Sequence, residues 1–157
     1  MTDMNQFNAA VDIKVNDLKW SGRLQEVVGI NVSDLDGDLS NQPGIVSWFG
    51  VVLAEAIATS EDLKDQKERV YARLYLRYRE QDEMAKVKST EARINSLVLT
   101  DPDYIGVQEK FTGIRKQLNT LKSISSSLDH RRDMLIQLSA NIRKEHSSGD
   151  YGFDGKE

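Results

Sequence analysis

The stretch that decides the fold runs from residue 45 to residue 83 and reads IVSWFGVVLAEAIATSEDLKDQKERVYARLYLRYREQDE. Its apolar side chains recur at steps of three and four residues, which is the spacing of one face of an α-helix. That stripe consists of Trp48, Val52, Ala56, Ala58 or Thr59, Leu63, Val70 and Leu74. The pattern predicts an amphipathic helix of roughly 35 residues that ends near Glu83. Because so long a stripe cannot be buried in a small monomeric core, it indicates a coiled coil or a bundle.

A second long helix is predicted at the C-terminal side of the chain. Asp101 and Pro102 have the residue types of a helix N-cap and first helical position. From there an apolar stripe extends to about Glu145, and Arg131 interrupts it. Its members are Phe111, Ile114, Leu118, Leu121, Ile124, Leu128, Leu135, Leu138 and Ile142. A short helix is expected from about Thr90 to Leu99, after a polar connection over residues 84–90.

These elements predict a mainly α fold: a long antiparallel helical hairpin of the coiled-coil or bundle type, with a short connecting helix. The first 43 residues are expected to form an irregular head with a small β-hairpin. Its strands are predicted from two alternating patterns, Val11, Ile13 and Val15, and then Val28, Ile30 and Val32. Gln42-Pro43-Gly44 is expected to break the chain. The predicted domains are therefore 1–43, a helical oligomerisation and DNA-binding domain at 44–145, and a flexible acidic tail at 146–157.

Composition excludes several kinds of chemistry. The 157 residues include no cysteine, which rules out disulfides, thiolate zinc sites and thiol catalysis. The only histidines are His130 and His146, and neither a nucleophile elbow nor a Gly-rich phosphate loop is present. Asp34, Asp36 and Asp38 begin like a calcium loop, but the glycine and the final glutamate of that loop are missing, which indicates a plain turn. We therefore expect a non-enzymatic protein without cofactor or metal.

Charge and hydropathy set further expectations. The net charge of −4 is uneven: residues 48–145 hold 17 basic and 15 acidic side chains, whereas both ends are acidic. A mildly basic middle is compatible with a phosphate-bearing or acidic partner. No unbroken run of ~18 apolar residues is found, so no membrane-spanning helix is expected. The first seven residues lack the apolar core of a signal peptide. These features favour a cytoplasmic protein, in the host cytoplasm if it is encoded by a phage.

The segment RVYARLYLRYR, residues 69–79, is the most distinctive candidate site. It holds four arginines, three tyrosines and no acidic residue. Guanidinium groups bind phosphates, and tyrosine rings stack on unpaired bases, so the segment predicts a single-stranded nucleic-acid site. The candidate DNA-binding residues are Arg69, Tyr71, Arg73, Tyr75, Arg77, Tyr78, Arg79, Lys86, Lys88 and Arg93. The alternative is that the tyrosines pack within the bundle while the arginines form a solvated face.

A second charged stretch, Asp129-His130-Arg131-Arg132-Asp133, lies on the predicted C-terminal helix. Asp129 and Arg132 are three residues apart, a spacing at which side chains of a helix pair. The stretch indicates ion pairs between subunits beside the apolar seam. Alternatively, Arg131 and Arg132 add to a phosphate-binding surface.

Residues 42–145 resemble the UvsY-type family of phage recombination mediators. Four features carry the resemblance. They are Trp48 at the helix start followed by Ala72-Arg73-Leu74 with Tyr75 and Tyr78, the helix start Lys88-Ser-Thr-Glu91, the break Val98-Leu-Thr-Asp101, and the final run from Arg131 to Glu145. One DNA-contact element of the family is Lys-Ala-Arg-Leu. By this resemblance Arg73 is a DNA contact, and Tyr71 stands where the family has lysine.

The resemblance implies a helical protomer that assembles into a homo-oligomeric ring of six or seven subunits. It further implies that the ring binds single-stranded DNA, helps to displace a single-strand-binding protein and loads a RecA-like recombinase. A different class of function stays open on the helical pattern alone, namely a coiled-coil structural subunit or assembly chaperone of a phage particle. That alternative requires only the long apolar seams and the tail.

Overall fold

The computed structural model describes residues 10–149, with side chains described through residue 145. In this part of the chain an antiparallel hairpin of β1 (Ala10–Val15) and β2 (Leu18–Arg23) comes first. The helices are α1 (Leu24–Val28), α2 (Leu35–Met84), α3 (Glu91–Thr100) and α4 (Pro102–Gly149), and a 3-10 turn at Val32–Asp34 precedes α2. The long helices α2 and α4 pack against each other. The predicted mainly α fold, with a small β-containing head, is therefore confirmed.

The head contains the predicted β1, but the second strand lies elsewhere than predicted. Asn16 adopts the left-handed conformation with φ of 51°, which asparagine tolerates and which lets β2 return directly beside β1. The alternation at residues 28–32 does not form a strand. Local hydrogen bonds hold helical turns on both sides of it: the Glu26 carboxylate accepts from the Arg23 N–H at 3.4 Å, and Asn31 Oδ1 accepts from the Ser33 N–H at 3.1 Å.

The predicted break at residues 42–44 is wrong, because these residues lie inside a helix. Helix α2 begins at Leu35 and passes through Pro43 without ending. Proline removes only one helical hydrogen bond, and acidic residues that precede Pro43 stabilise the start of α2. The Asp34 carboxylate accepts from the Gly37 N–H at 3.1 Å, and Asp36 and Asp38 place negative charge in the first turn.

The other helix ends largely follow the sequence. Helix α2 ends at Met84, one residue beyond the expected Glu83. Thr90 caps α3 by accepting from the Arg93 N–H at 3.3 Å, and Asp101 caps α4 by accepting from the Asp103 N–H at 2.8 Å. Helix α4 continues to Gly149, so residues 146–149 of the predicted tail are helical. The rest of that tail, with Tyr151 and Phe153, lies outside the described residues.

The described chain divides into two compact units. Unit 1 comprises residues 10–14, 18–52 and 120–149, and unit 2 comprises residues 15–17 and 53–119. In unit 1 the buried apolar side chains are Ile13, Val27, Phe49, Val52, Leu121, Ile124, Leu128 and Leu135. The Phe49 ring packs edge-on against Trp20, with 5.5 Å between ring centroids. Phe49 therefore occupies the core position that the stripe assigned to Trp48, which is 37 % exposed.

A polar network crosses the core of unit 1. Arg131, which interrupts the stripe of α4, is buried and donates from Nε to the Gly29 carbonyl at 2.9 Å. Its Nη2 donates to Asp38 Oδ1 at 2.8 Å, and its Nη1 donates to Gln42 Oε1. Gln42 in turn donates to the Leu128 carbonyl at 2.9 Å. Neither sequence interpretation of Arg131 holds, because its partners belong to the same chain and it is not available at the surface.

The other part of that charged stretch behaves as the spacing predicts. Arg132 is exposed and its Nη1 lies 3.5 Å from Asp129 Oδ1, in an i,i+3 pair. Its Nη2 lies 3.2 Å from Asp133 Oδ1. Arg132 and Arg131 are neighbours in sequence, and yet only Arg132 remains accessible.

One stretch of α2 is apolar on every side. Residues 43–60 contain a single charged side chain, Glu55, and Val46, Val51 and Ile57 in this stretch are 38 %, 61 % and 40 % exposed. An 18-residue window between Val32 and Met84 is long and apolar enough to cross a membrane, by length and composition only, and 17 % of it is buried. The sequence expectation considered only unbroken apolar runs, and the absence of a membrane-spanning helix therefore stays a prediction. A helix that is covered by a protein partner would have the same apolar composition.

Candidate nucleic-acid interface

The candidate site lies in unit 2, on the part of α2 that carries residues 69–79. Successive residues of an α-helix are rotated by about 100°, so neighbouring residues of the segment lie on different faces of α2. Here the arginines and the tyrosines separate. The four arginines are exposed, whereas Tyr71, Tyr75 and Tyr78 are half-buried. We call the row formed by Arg69, Arg73 and Arg77, each four residues apart, the arginine row.

The tyrosines form part of the core of unit 2. At its centre Leu74, on α2, is fully buried with Ile94 and Val98 of α3. The partly buried side chains packed around this centre are Val70, Tyr71, Tyr75, Tyr78 and Tyr104. The Tyr71 and Tyr75 rings lie 6.3 Å apart between centroids with an interplanar angle of 26°. The Tyr71 and Tyr75 rings therefore pack against each other, and all three tyrosines of the segment pack against the buried centre.

Each tyrosine hydroxyl of the segment also has a partner. Tyr71, Tyr75 and Tyr78 donate to Asn95 Oδ1 at 2.5 Å, Glu91 Oε1 at 2.6 Å and Asp101 Oδ2 at 2.7 Å, respectively. Two of the acceptors are in α3 and the third is the N-cap of α4. This arrangement corresponds to the alternative reading of the segment, in which the tyrosines pack and the arginines are solvated. The tyrosines connect α2 to α3 and to the start of α4.

These hydrogen bonds shift the acidities of the groups involved. The hydrogen bond to Glu91 raises the pKa of Tyr75, and the hydrogen bond to Asp101 raises the pKa of Tyr78. The pKa of Asp101 is lowered, first by the Tyr78 hydroxyl and then by the Asp103 N–H that it accepts. At neutral pH Asp101 is consequently an anion that holds two donors.

The arginine row points away from this core. Arg73 Nη2 lies 3.2 Å from Asp103 Oδ2 on α4, and both side chains are more than half exposed. The Arg77 guanidinium carbon lies 5.3 Å from the centroid of the Tyr78 ring, a cation–π distance. Among the described residues, Arg69 and Arg77 have no carboxylate within ion-pair distance. The row thus offers guanidinium groups to solvent, and the charges of Arg73 and Arg77 also help to lower the pKa of the buried Asp101 carboxyl.

Two further predicted arginines also have ion-pair partners, and only that of Arg93 is buried. Arg79 lies 3.6 Å from Glu83 in an exposed i,i+4 pair on α2. Arg93, in the first turn of α3, donates to both carboxylate oxygens of Asp82, with Nε 3.2 Å from Oδ2. Because Asp82 is buried, this second pair fixes α3 against α2. Arg93 is therefore less available to a ligand than the residues of the arginine row.

The two predicted lysines lie beyond the end of α2. Lys86 has a φ of 53°, and this left-handed residue ends the helix while its N–H donates to the Glu83 carbonyl at 3.1 Å. Lys86 and Lys88 are both exposed, in the connection that leads to α3. The predicted set therefore divides into an exposed row on α2, two lysines in the connection, three packed tyrosines and the paired Arg79 and Arg93.

Sequence reasoning did not identify the carboxylates that adjoin the site. Asp101 was predicted only as a helix cap, although it also binds Tyr78, and Asp103 was not singled out although it contacts Arg73. The adjacent acids of Asp101-Pro102-Asp103 were the available signal, but only the pairing of α2 with α4 brings them to the site. Among the side chains of residues 10–145, no group of three or more histidines and carboxylates is placed to hold a metal ion.

Comparison with protein-family models, with curated protein sequences and with solved structures finds no match for this chain. The resemblance to recombination mediators therefore stays a prediction. The geometry described above stands beside it as a separate argument about function.

Proposed function

We propose that this protein is a non-enzymatic, single-stranded-DNA-binding recombination mediator, and that the arginine row supplies its main contacts to DNA phosphates. The single observation that carries the proposal is the exposure of Arg69, Arg73 and Arg77 in one row on a helix whose opposite side is fixed. Each step of four residues advances the row by about 6 Å along the helix. Such a row suits a flexible chain of phosphates better than a compact ligand.

The packing of the tyrosines refines the expected mode of binding. With their rings in the core and their hydroxyls bonded, Tyr71, Tyr75 and Tyr78 are expected to hold the helix in place rather than to stack on bases. Binding then depends mainly on charge, with little sequence preference and strong sensitivity to salt. Lys86 and Lys88 are expected to extend the phosphate contacts beyond the end of α2.

We expect the protein to act as an oligomer, because a single arginine row should bind DNA only weakly. Residues 48–145 carry an excess of only two positive charges, so one protomer is expected to bind DNA weakly. A homo-oligomeric ring of six or seven subunits would hold many such rows and strengthen binding through effective concentration. The exposed apolar stretch of α2 is compatible with contacts between subunits. The further partners, a RecA-like recombinase and a single-strand-binding protein, rest on the sequence resemblance.

The binding part of the proposal is tested by fluorescence anisotropy with a labelled oligothymidine at several salt concentrations. We expect the wild-type protein to bind and the double variant Arg73→Ala/Arg77→Ala to bind more weakly. Loss of two phosphate contacts should reduce the slope of log affinity against log salt by roughly 1.4, at about 0.7 per contact with a single strand. The matched control is Arg115→Ala/Arg143→Ala, which removes two exposed arginines of α4 outside the row.

Equal affinity and equal salt slope for the wild type and the row variant would show that the site is elsewhere. If the wild-type protein does not bind at low salt, the proposal as a whole is wrong. The mediator activity is tested separately, by the rate at which a RecA-like recombinase begins ATP hydrolysis on DNA coated with single-strand-binding protein. A mediator shortens that delay, and the row variant should do so less effectively.

A second candidate function is a coiled-coil structural subunit or assembly chaperone of a phage particle. The observation that favours it is the stretch at residues 43–60, which is apolar on every side and largely uncovered. Such a protein would assemble without nucleic acid and would not bind the oligonucleotide. Native mass measurement with and without oligonucleotide distinguishes the two functions, because only a mediator forms a complex that includes DNA.

A further inference from the structure

The contact between Arg73 and Asp103 differs from the other well-defined ion pair at the site. Arg73 meets Asp103 through a single Nη2–Oδ2 contact of 3.2 Å, with side chains 64 % and 59 % exposed. Arg93, by contrast, engages both oxygens of Asp82, which is buried. The first pair can open into water at little cost, whereas opening the second would leave a buried carboxylate without its partner.

The position of Asp103 is set by the backbone rather than by Arg73. It is the second residue of α4, and its N–H is held by the Asp101 carboxylate at 2.8 Å. Its backbone therefore stays beside the arginine row whether or not Arg73 contacts the carboxylate. A carboxylate and a phosphate bind a guanidinium group through the same charge-assisted hydrogen bonds, so each excludes the other from the same donors.

We propose that Asp103 competes with the DNA phosphate for Arg73 and so sets the affinity of the arginine row for single strands. This inference rests on the proposed function and concerns the regulation of that same site. In the unbound protein Asp103 occupies the central guanidinium of the row. A phosphodiester must displace it, and Asp103 is released to solvent in the complex. The acid thus weakens the binding of single or poorly aligned phosphates more than that of a strand contacting the whole row.

The test compares the oligothymidine affinity of wild type with that of four variants, Asp103→Asn, Glu80→Gln, Arg73→Ala and Arg73→Ala/Asp103→Asn, at one fixed, low salt concentration. Asp103→Asn keeps the size of the side chain and removes its charge, and we expect it to bind about two- to fivefold more tightly than wild type, in line with the modest strength of exposed pairs. Glu80→Gln is the matched control, because Glu80 is an exposed acid too and lies on α2, three residues after Arg77. It removes one negative charge without removing a contact to Arg73.

The decisive measurement is the double variant Arg73→Ala/Asp103→Asn. If the two groups compete as proposed, Asp103→Asn improves binding in the wild-type background and has no effect once Arg73 is absent. An equal gain from Glu80→Gln, or a full gain from Asp103→Asn in the Arg73→Ala background, would mean that Asp103 acts through overall charge, and the inference would be wrong.

Different results refute the competition and the proposed function. If wild type binds DNA and Asp103→Asn binds no better, the competition is refuted while the proposed function stands. If neither wild type nor Asp103→Asn binds, both are refuted. Far-ultraviolet circular dichroism of each variant confirms that the helices are intact before affinities are compared.

Discussion

Replacing Arg131 by alanine isolates the polar network in the core of unit 1. The Arg131 side chain is 3 % exposed and that of Asp38 is 20 % exposed. The substitution removes the donors that serve Asp38, Gln42 and the Gly29 carbonyl. Asp38 would then remain in a largely dry environment without its counter-charge, and we expect the folded state to lose substantial free energy relative to the unfolded state.

The size of the stability loss depends on which hydrogen bonds of the network remain after the substitution. Removing one member of a buried ion pair costs about 3–5 kcal/mol. Asp38 retains the Asn31 N–H, 2.6 Å from its Oδ2, and some contact with water. Gln42 retains its bond to the Leu128 carbonyl. These remaining interactions place the expected loss near the lower limit, at about 3 kcal/mol.

The assay is urea denaturation at fixed protein concentration, followed by circular dichroism. With a denaturant slope of about 2 kcal/mol per molar, the midpoint should fall by roughly 1.5 M. Arg132→Ala provides the control, because this neighbouring arginine makes only exposed pairs and should cost less than about 1 kcal/mol. If Arg131→Ala is no more destabilising than Arg132→Ala, the account of the buried network is incorrect.

Three further outcomes are expected in unit 2. Leu74→Ala, at a fully buried position, should lower stability by about 2–5 kcal/mol, whereas Leu76→Ala, at a side chain 59 % exposed, should change it by less than about 0.5 kcal/mol; urea denaturation compares the two. Thr90→Ala, which removes the cap of α3, should cost about 0.5–2 kcal/mol and increase amide exchange in that helix; unchanged exchange would contradict the capping role. The pKa of Asp101 is lowered in the folded state. Its ionised carboxylate therefore stabilises the fold fully above pH 3.8, the ordinary pKa, and this stabilisation is lost as the pH falls through the lower pKa of the folded state. The pKa of Tyr78 is raised in the folded state. Its protonated hydroxyl therefore stabilises the fold fully below pH 10.0, the ordinary pKa, and this stabilisation is lost as the pH rises through the higher pKa of the folded state. Thermal denaturation against pH should therefore show a smaller acid-side loss for Asp101→Asn and a smaller alkaline-side loss for Tyr78→Phe, and profiles parallel to wild type would count against this linkage.

Local sequence signals located most helix ends because the groups that form them are close in the chain. Thr90 and Asp101 cap their helices through residues two or three positions away, and this interaction is visible in the sequence. Local signals also predicted a chain break at Pro43. That prediction was wrong, because the loss of one hydrogen bond at proline does not end α2. The local prediction of the second strand was also wrong, because an alternation of three residues is too short to exclude competing turns.

The candidate site shows the same division between local and distant information. The spacing of Arg69, Arg73 and Arg77 by four residues was sufficient to predict a common face, and the structure places all three at the surface. Whether the tyrosines faced solvent or core depended on which helix lay beside them. Leu74, Ile94 and Val98 meet only because α3 folds back on α2, and this contact draws the tyrosine rings inward.

By itself the sequence determined the helical periodicity, the caps and the row of arginines, since each depends on residues within one or two helical turns of one another. Tertiary structure alone decided which charged groups meet across different helices. Arg131 is buried with Asp38, 93 positions away, and Arg73 meets Asp103, 30 positions away. A charge is costly to bury without its partner, and the partner is chosen by the packing of the helices, which no local pattern records.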